Sequence, residues 1–379
     1  MLILKAVLKE NRTTHNRFVW PEVGGTVDAP DWDEAPNCGA GLHGWLNGIG
    51  DAGVCDYSFD ACTFLVVETT GPVVDLTGKV KFRSGVVVFE GSLREAAAYI
   101  IEMTGEQGPV IGAYRVVAEG GSAEVGAYGS VVADSRCTVT AGYGCTVTAG
   151  NYCTVTAGPY CTVTAGPYCT VTADHQCRVT ADHQCRVTAD YGCMVTADYG
   201  CMVTAGPYCT VTAGPYCTVT TGNDCKVATD YGCNIKAGGG CKVATDYGCN
   251  VKAGGGCKVA TDYGCNVKAG GGCAVTAGID CTVTADHHCT VTADYGCTVT
   301  ADHHCTVTAG PYCTVTADHQ CRVTADYGCT VTAGTSSTIM FICHDGRQRV
   351  LVAYTGEDGV EPNQAYRLDS NHKLERINK

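Results

Sequence analysis

Between residues 137 and 336 small apolar residues alternate with polar ones at a fixed phase. Cys, Val and Ala occupy every second place of a five-residue run, Thr usually stands between them, and three turn-forming residues follow. The unit is eight residues long, and its cysteine recurs twenty-five times from Cys137 to Cys329 without a slip. Self-similarity at a fixed period predicts a solenoid. Alternate side chains of a strand face opposite sides. With Cys as position 1, positions 1, 3 and 5 therefore point into a core and positions 2 and 4 point to solvent. Position 3 is Val in every octad but one, which has Ile235; position 5 is Ala in most and Thr at Thr221, Thr229, Thr245 and Thr261. Position 6 is always Gly or Asp, the residue types expected to take a tight or left-handed corner.

One octad makes one strand and one corner, so two octads are needed to close a flattened coil. In the middle of the array Cys-Lys-Val-Ala-Thr-Asp-Tyr-Gly alternates with Cys-Asn-Val-Lys-Ala-Gly-Gly-Gly, so the period there is sixteen. The predicted fold is an all-β parallel β-solenoid of sixteen-residue coils over residues 129–336. It would have about 12 coils stacked about 4.8 Å apart, a rod of about 60 Å. Cysteines stacked along such an axis have poor disulfide geometry. They are expected to be free thiols acting as small buried hydrophobes, which points to a reducing, cytoplasmic compartment.

The flanks read differently. Residues 1–128 predict an α+β head, with strands at Leu2–Leu8, Phe64–Glu68, Lys79–Phe82 and Val86–Phe89. A helix should start at Ser92, with Glu95 at capping-box spacing. Octads with Gly at position 1 (Gly121 and Gly129) feed the head into the array. Residues 337–379 predict a β-hairpin or meander cap, with turns at His344-Asp-Gly-Arg and Glu357-Asp-Gly and a strand at Val350–Tyr354. Both flanks would cover the open strand edges of the solenoid.

The chain has 379 residues and a formal charge of -13, which argues against nucleic acid as a partner. It has no run of 18 apolar residues, so no membrane-spanning helix or membrane partner is expected. The N-terminus is apolar but lacks a basic region and a cleavage site, and reads as a first strand.

Thirteen octads carry Thr at both outward positions. Early in the array these are Thr138 and Thr140, Thr146 and Thr148, Thr154 and Thr156, Thr162 and Thr164, and Thr170 and Thr172. In the middle they are Thr210 and Thr212, and Thr218 and Thr220. Late in the array they are Thr282 and Thr284, Thr290 and Thr292, Thr298 and Thr300, Thr306 and Thr308, Thr314 and Thr316, and Thr330 and Thr332. Such a regular grid of methyl and hydroxyl groups can order water; Thr is equally a good exposed strand residue. Octads such as Ala141-Gly142-Tyr143-Gly144-Cys145-Thr146-Val147-Thr148 resemble the octapeptide of bacterial ice nucleation proteins, Ala-Gly-Tyr-Gly-Ser-Thr-x-Thr, with Cys in place of Ser. The likeness covers residues 137–336. It implies a solenoid with sixteen-residue coils, Thr pairs as the ice-facing residues, and stacking of corner tyrosines such as Tyr143, Tyr191, Tyr199, Tyr231 and Tyr247. The Thr grid is interrupted by Arg178, Arg186, Met194, Met202 and Arg322.

Three other features carry candidate chemistry. Lys226, Lys242 and Lys258 on one side and Lys236, Lys252 and Lys268 on the other form a candidate docking band, or simply a solvated face. Asp230, Asp246 and Asp262 are placed to offset their repulsion, and Asn234, Asn250 and Asn266 to form an amide ladder. Asp286 and His287, Asp302 and His303, and Asp318 and His319 recur every sixteen residues, a column that could hold Zn²⁺ or Ni²⁺ or merely build corners. In the head, Gly41-Leu-His-Gly-Trp45 with Cys38 and Cys55 gathers reactive residue types. That cluster reads as a packed loop, with a Cys/His nucleophile or a metal site as the alternative; the array holds no catalytic constellation and no cofactor is expected, so the chain reads as a non-enzyme, with an enzyme in the head as a third reading. The expected function is weak ice binding through ordered water. The alternative is a structural or self-associating rod, a filament element or phage-associated spacer.

Overall fold

The computed structural model describes all residues except 11, 15–17, 345–346 and 378–379. The turn expected at His344-Asp-Gly-Arg therefore falls partly outside the described residues. The chain forms two compact units, Met1–Arg178 and Val179–Lys379. Both units are nearly all β and contain sixteen-residue coils of parallel β-solenoid, about 14 in total; among the described residues there is one α-helix, in the first unit, and antiparallel strands occur toward each end of the chain.

The first unit begins with the head. Its strands are β1 (Leu2–Leu8), β2 (Thr26–Asp28), β3 (Leu42–Leu46), β4 (Cys62–Glu68), β5 (Val73–Asp75), β6 (Val80–Phe82) and β7 (Ser84–Gly91). They form an antiparallel sheet in the order β2-β7-β4-β1-β3-β6-β5. Central strands β1 and β4 are largely apolar because both faces of the sheet are covered. Leu4, Phe64 and Val66 pack with Ala96 and Ile100 of helix α1 (Leu93–Thr104) on one face. Ile3, Leu65 and Phe82 pack with Trp20 and Val27 on the other. Helix α1 starts where expected. The Ser92 hydroxyl accepts the Glu95 N–H, the Glu95 carboxylate accepts the Ser92 N–H at 2.9 Å, and Gly105 ends the helix in the left-handed region.

Solenoid strands in this unit start at Tyr114, earlier than the expected boundary at 129. Tyr114–Val117, Ser130–Ala133, Thr146–Ala149 and Thr162–Ala165 pair in parallel on one side, and Ser122–Val125, Thr138–Ala141, Thr154–Ala157 and Thr170–Ala173 on the other. Register is i to i+16 throughout, as in Val139 opposite Val155. This early start accounts for a coil count above the expected 12. The second unit repeats the arrangement, with Lys226–Thr229 beside Lys242–Thr245 and Asn234–Ala237 beside Asn250–Ala253. The alternation has the expected sense: Cys, Val and position 5 are buried and positions 2 and 4 face out, as in Thr282–Ala285. Each fully buried Val contributes about 1.5–3 kcal/mol.

The corner chemistry departs from expectation. The left-handed residue is position 8, not position 6, with φ 57° at Tyr152, 56° at Gln176, 57° at Asp224 and 57° at His288. This backbone costs an L-residue roughly 1–2 kcal/mol. The same twist lets the position-8 N–H reach the position-7 carbonyl of the following coil, 2.9 Å for Tyr152 to Pro167. Position 6 does different work. Its N–H donates to the preceding coil, as from Gly158 to Ala141 at 2.8 Å, and where it is Asp the carboxylate can accept the next N–H, 2.9 Å for Asp246 and Tyr247.

The C-terminal cap is two hairpins, one for each side. Gln348–Tyr354 pairs with Thr338–His344, which continues one ladder, while Ala365–Leu368 pairs with Thr330–Ala333 of the other and with Leu374–Ile377. A single meander could cap only one of the two ladders; the split covers both.

Candidate functional site

The cysteines do more than fill space. All 29 are free, and the 25 of the array are buried. In the recurring pattern a sulfur accepts the N–H of the cysteine one coil back and donates to the position-6 carbonyl of the octad before that cysteine. Cys249 Sγ accepts from Cys233 N at 3.4 Å and donates to Asp230 O at 3.1 Å. Cys265 Sγ accepts from Cys249 N at 3.4 Å and donates to Asp246 O at 2.9 Å. Ser337, the residue at position 1 beyond the last cysteine octad, takes the same two partners: Cys321 N at 3.1 Å and Asp318 O at 3.0 Å. The thiol therefore stands in for a hydroxyl as a donor and acceptor, which corrects the reading of these residues as plain hydrophobes. Burial pushes the thiols of Cys257 and Cys289 up to about 11, so they keep the proton the ladder needs.

The outward Thr residues do not make one continuous grid. They fall into separate patches on the two sides of the solenoid, because successive octads alternate between ladders. In the second unit the longest patch holds Thr282 and Thr284, Thr298 and Thr300, Thr314 and Thr316, and Thr330 and Thr332, on four successive paired strands. Spacing is about 4.8 Å between strands and about 7 Å along them. The patch ends where Thr332 meets Ala365 of the C-terminal hairpin, and both Thr330 and Thr332 are half-buried there. On the other side of this unit Thr290 and Thr292 pair with Thr306 and Thr308, and Arg322 closes the row. Two of the expected pairs stand alone. Thr210 and Thr212 lie on a strand between those of Met194 and Lys226, and Thr218 and Thr220 on one between those of Met202 and Asn234. Thr210 and Thr220 are half-buried rather than open to solvent. Long Met, Lys and Asn neighbours at position 2 flank these two strands, so Thr at both outward positions in sequence does not by itself give a flat Thr surface.

In the first unit three strands of one side carry Thr138 and Thr140, Thr154 and Thr156, and Thr170 and Thr172. Thr146 and Thr148 pair with Thr162 and Thr164 on the opposite side.

The lysine band sits on both sides of the second unit, Lys226, Lys242 and Lys258 on one ladder and Lys236, Lys252 and Lys268 on the other. Asn234, Asn250 and Asn266 share the latter face and form the expected amide ladder, each link 3.1 Å. The corner carboxylates make no ion pair with these lysines among the described residues. Asp230 and Asp246 each accept the N–H of the tyrosine that follows, at 2.9 Å, and none of the six lysines makes an ion pair among the described residues. Local hydrogen bonding at the corner, one residue away, wins over a flexible ammonium.

Tyrosine stacking depends on corner phase. Tyr231 and Tyr247, both at position 7, stack at 4.9 Å and 5°, and Tyr152 and Tyr168, both at position 8, at 4.8 Å and 7°. Tyr143 with Tyr160 and Tyr191 with Tyr208 mix the two positions and are tilted by 48° and 50°, and Tyr199 with Tyr216 is edge-on at 67°. The histidine column is in place. His287, His303 and His319 stack at 5.4 and 5.2 Å, and His288 stacks on His304 at 4.9 Å. Each Nδ1 of the first three faces its own Asp286, Asp302 or Asp318 at 3.0, 3.0 and 3.5 Å. One ligand atom each of Asp286, His287 and Asp302 lie within 4.8 Å of one another, a donor set suited to a first-row divalent ion.

In the head the 41–45 run does converge with both cysteines: Cys38, Leu42, His43, Trp45 and Cys55 line one cavity of about 510 Å³ together with Lys5 and Trp20. Sequence reasoning missed Lys5, because a lone Lys in an apolar strand carries no motif. No helix among the described residues is long and apolar enough to cross a membrane. No family model, curated protein or solved structure matches this chain.

Proposed function

We propose that the Thr-bearing faces order water and bind ice weakly. The observation that supports this reading is the unbroken register of the patch from Thr282 to Thr332, eight outward threonines on four paired strands. A hydroxyl row held by paired backbone has little freedom left to lose, so water bridging it is ordered at small entropic cost. The resemblance of the octads to ice nucleation repeats agrees with it. Droplet freezing and thermal hysteresis test the proposal. The intact chain should exceed buffer, and Thr284→Lys, Thr300→Lys and Thr316→Lys together should return it to baseline. Equal readings from the two proteins would end the ice reading.

A second reading, a structural or assembly element, is favoured by one observation. The Asn–Lys band breaks the Thr lattice on both faces and leaves six ammonium groups without ion-pair partners among the described residues. Such rows fit an acidic surface of matching pitch, including another copy of the chain. Sedimentation at low and high salt separates the readings, because association through these rows should weaken as salt rises.

A further inference from the structure

Apart from the array, the head contains one cavity where an unpaired cation meets an aromatic wall. The cavity beside β1 and β3 has about 510 Å³ of space, within the range of small-molecule sites. Lys5 from β1 reaches it. The Lys5 ammonium lies over the Trp20 ring, 5.4 Å from its centroid, and has no hydrogen bond or ion pair among the described residues. Buried polar atoms lacking any partner number four among the described residues: Trp20 Nε1, His43 Nε2, Lys81 Nζ and Thr229 Oγ1. The first two belong to lining residues, and Lys81 is paired with His43 across β3 and β6. Lys79 lines the same space.

An orphaned buried donor costs about 1–3 kcal/mol, and an unpaired cation more. An unpaired Lys5 ammonium at the wall of this cavity, inside a chain of charge -13, is accounted for by an acceptor that arrives from outside. The local potential agrees: burial, then Lys79, Lys5 and Lys81, hold His43 down at about 4, so it is neutral near pH 7. The two lining carboxylates do not supply the acceptor. Asp31 accepts the Gly41 N–H at 3.2 Å, and Asp56 is engaged in an interaction of its own. The remaining wall is aromatic, with Phe18, Trp45 and Tyr57.

We propose that this cavity binds a small organic anion with a flat apolar body, an aromatic carboxylate, whose charge meets the Lys5 ammonium and whose ring meets the aromatic wall. The site is independent of the water-ordering faces. It explains why a lysine stands in the middle of an otherwise apolar strand. Charge and shape divide the recognition: the ammonium selects the carboxylate, while the rings reward planarity.

The test uses the full chain, with 2-naphthoate and benzoate as probes and 2-naphthylmethanol as the uncharged control. All three tryptophans, Trp20, Trp32 and Trp45, are in the head, so their fluorescence reports this unit. Naphthoate should bind, and Lys5→Met should weaken it by about tenfold or more, the value of a charge-assisted hydrogen bond. Binding of the alcohol should be unchanged. If Lys5→Met fails to fold, acetic anhydride footprinting of the unaltered protein decides instead: naphthoate should slow acetylation of Lys5 while leaving the exposed Lys9 unaffected. The proposal is overturned if neither carboxylate binds, if the alcohol binds the unaltered protein as tightly as the naphthoate, or if Lys5 gains no protection.

Discussion

Replacing Cys249 by Ser and, separately, by Ala distinguishes a hydrogen-bonding thiol from a hydrophobic one. Ala removes the acceptor of the Cys233 N–H and the donor to Asp230 O. The stranded N–H costs about 1–3 kcal/mol. The lost sulfur adds about 1 kcal/mol of burial and packing. The expected total for Cys249→Ala is about 2–4 kcal/mol. Ser keeps both partners, in the geometry Ser337 already shows with Cys321 N and Asp318 O, and should cost less than about 1 kcal/mol. Coils in a repeat array contact mainly their neighbours, so the damage is local and a whole-chain midpoint would dilute it. Hydrogen exchange at the Cys233 amide reads it directly. Exchange should speed up roughly thirtyfold to several-hundredfold in the Ala variant and less than about fivefold in the Ser variant. A purely apolar site would give the opposite order, because burying a hydroxyl without partners is worse than burying a methyl group. Ala tolerated better than Ser would refute the ladder.

Other outcomes follow from the same geometry. A thiol reagent added to the folded protein should modify Cys38, which is exposed, well before the buried array, whose cysteines should react only after unfolding. His43 is held down at about 4, below its unfolded value, so the unfolded state binds the extra proton between pH 6.5 and 4. Head stability should therefore be full above about pH 6.5 and fall on acidification through that window, and His43→Gln should flatten the dependence seen by tryptophan fluorescence. His304 is likewise lowered, by burial and by His288, His303 and His319; the coils around residues 286–320 should loosen as pH falls below 6.5, seen as faster hydrogen exchange there, while those around 137–160 should not. Changing Lys226, Lys236, Lys242, Lys252, Lys258 and Lys268 to Thr should raise thermal stability at low salt, by a few tenths of a kcal/mol for each removed like-charged contact, and the gain should shrink in 1 M salt.

The sequence by itself determined the winding. Strict alternation from Cys137 to Cys329 leaves one way to hide Cys, Val and Ala together, because a slip of one residue would turn every one of them outward. The alternating octads of the lysine band specified sixteen residues per coil, and Ser92 with Glu95 specified the start of α1. What the tertiary structure decided are relations between coils. That the left-handed residue is position 8 depends on a carbonyl one coil onward, fifteen residues away, as for Tyr152 and Pro167. That the thiol is a hydrogen-bonding group depends on a position-6 carbonyl nineteen residues back, as Cys249 shows with Asp230. Which Thr pairs adjoin is also settled between coils: Thr298 and Thr300 have Thr neighbours on both sides, while Thr218 and Thr220 sit between strands headed by Met202 and Asn234. Asp230 turning to its own corner instead of to lysine, and Lys5 meeting Trp20 and His43 in one cavity, are of the same kind. Alternation reports which side of a strand a residue faces, because that is set by its own backbone; which atom it meets there is set by neighbours distant in the chain, and only folding brings those to it.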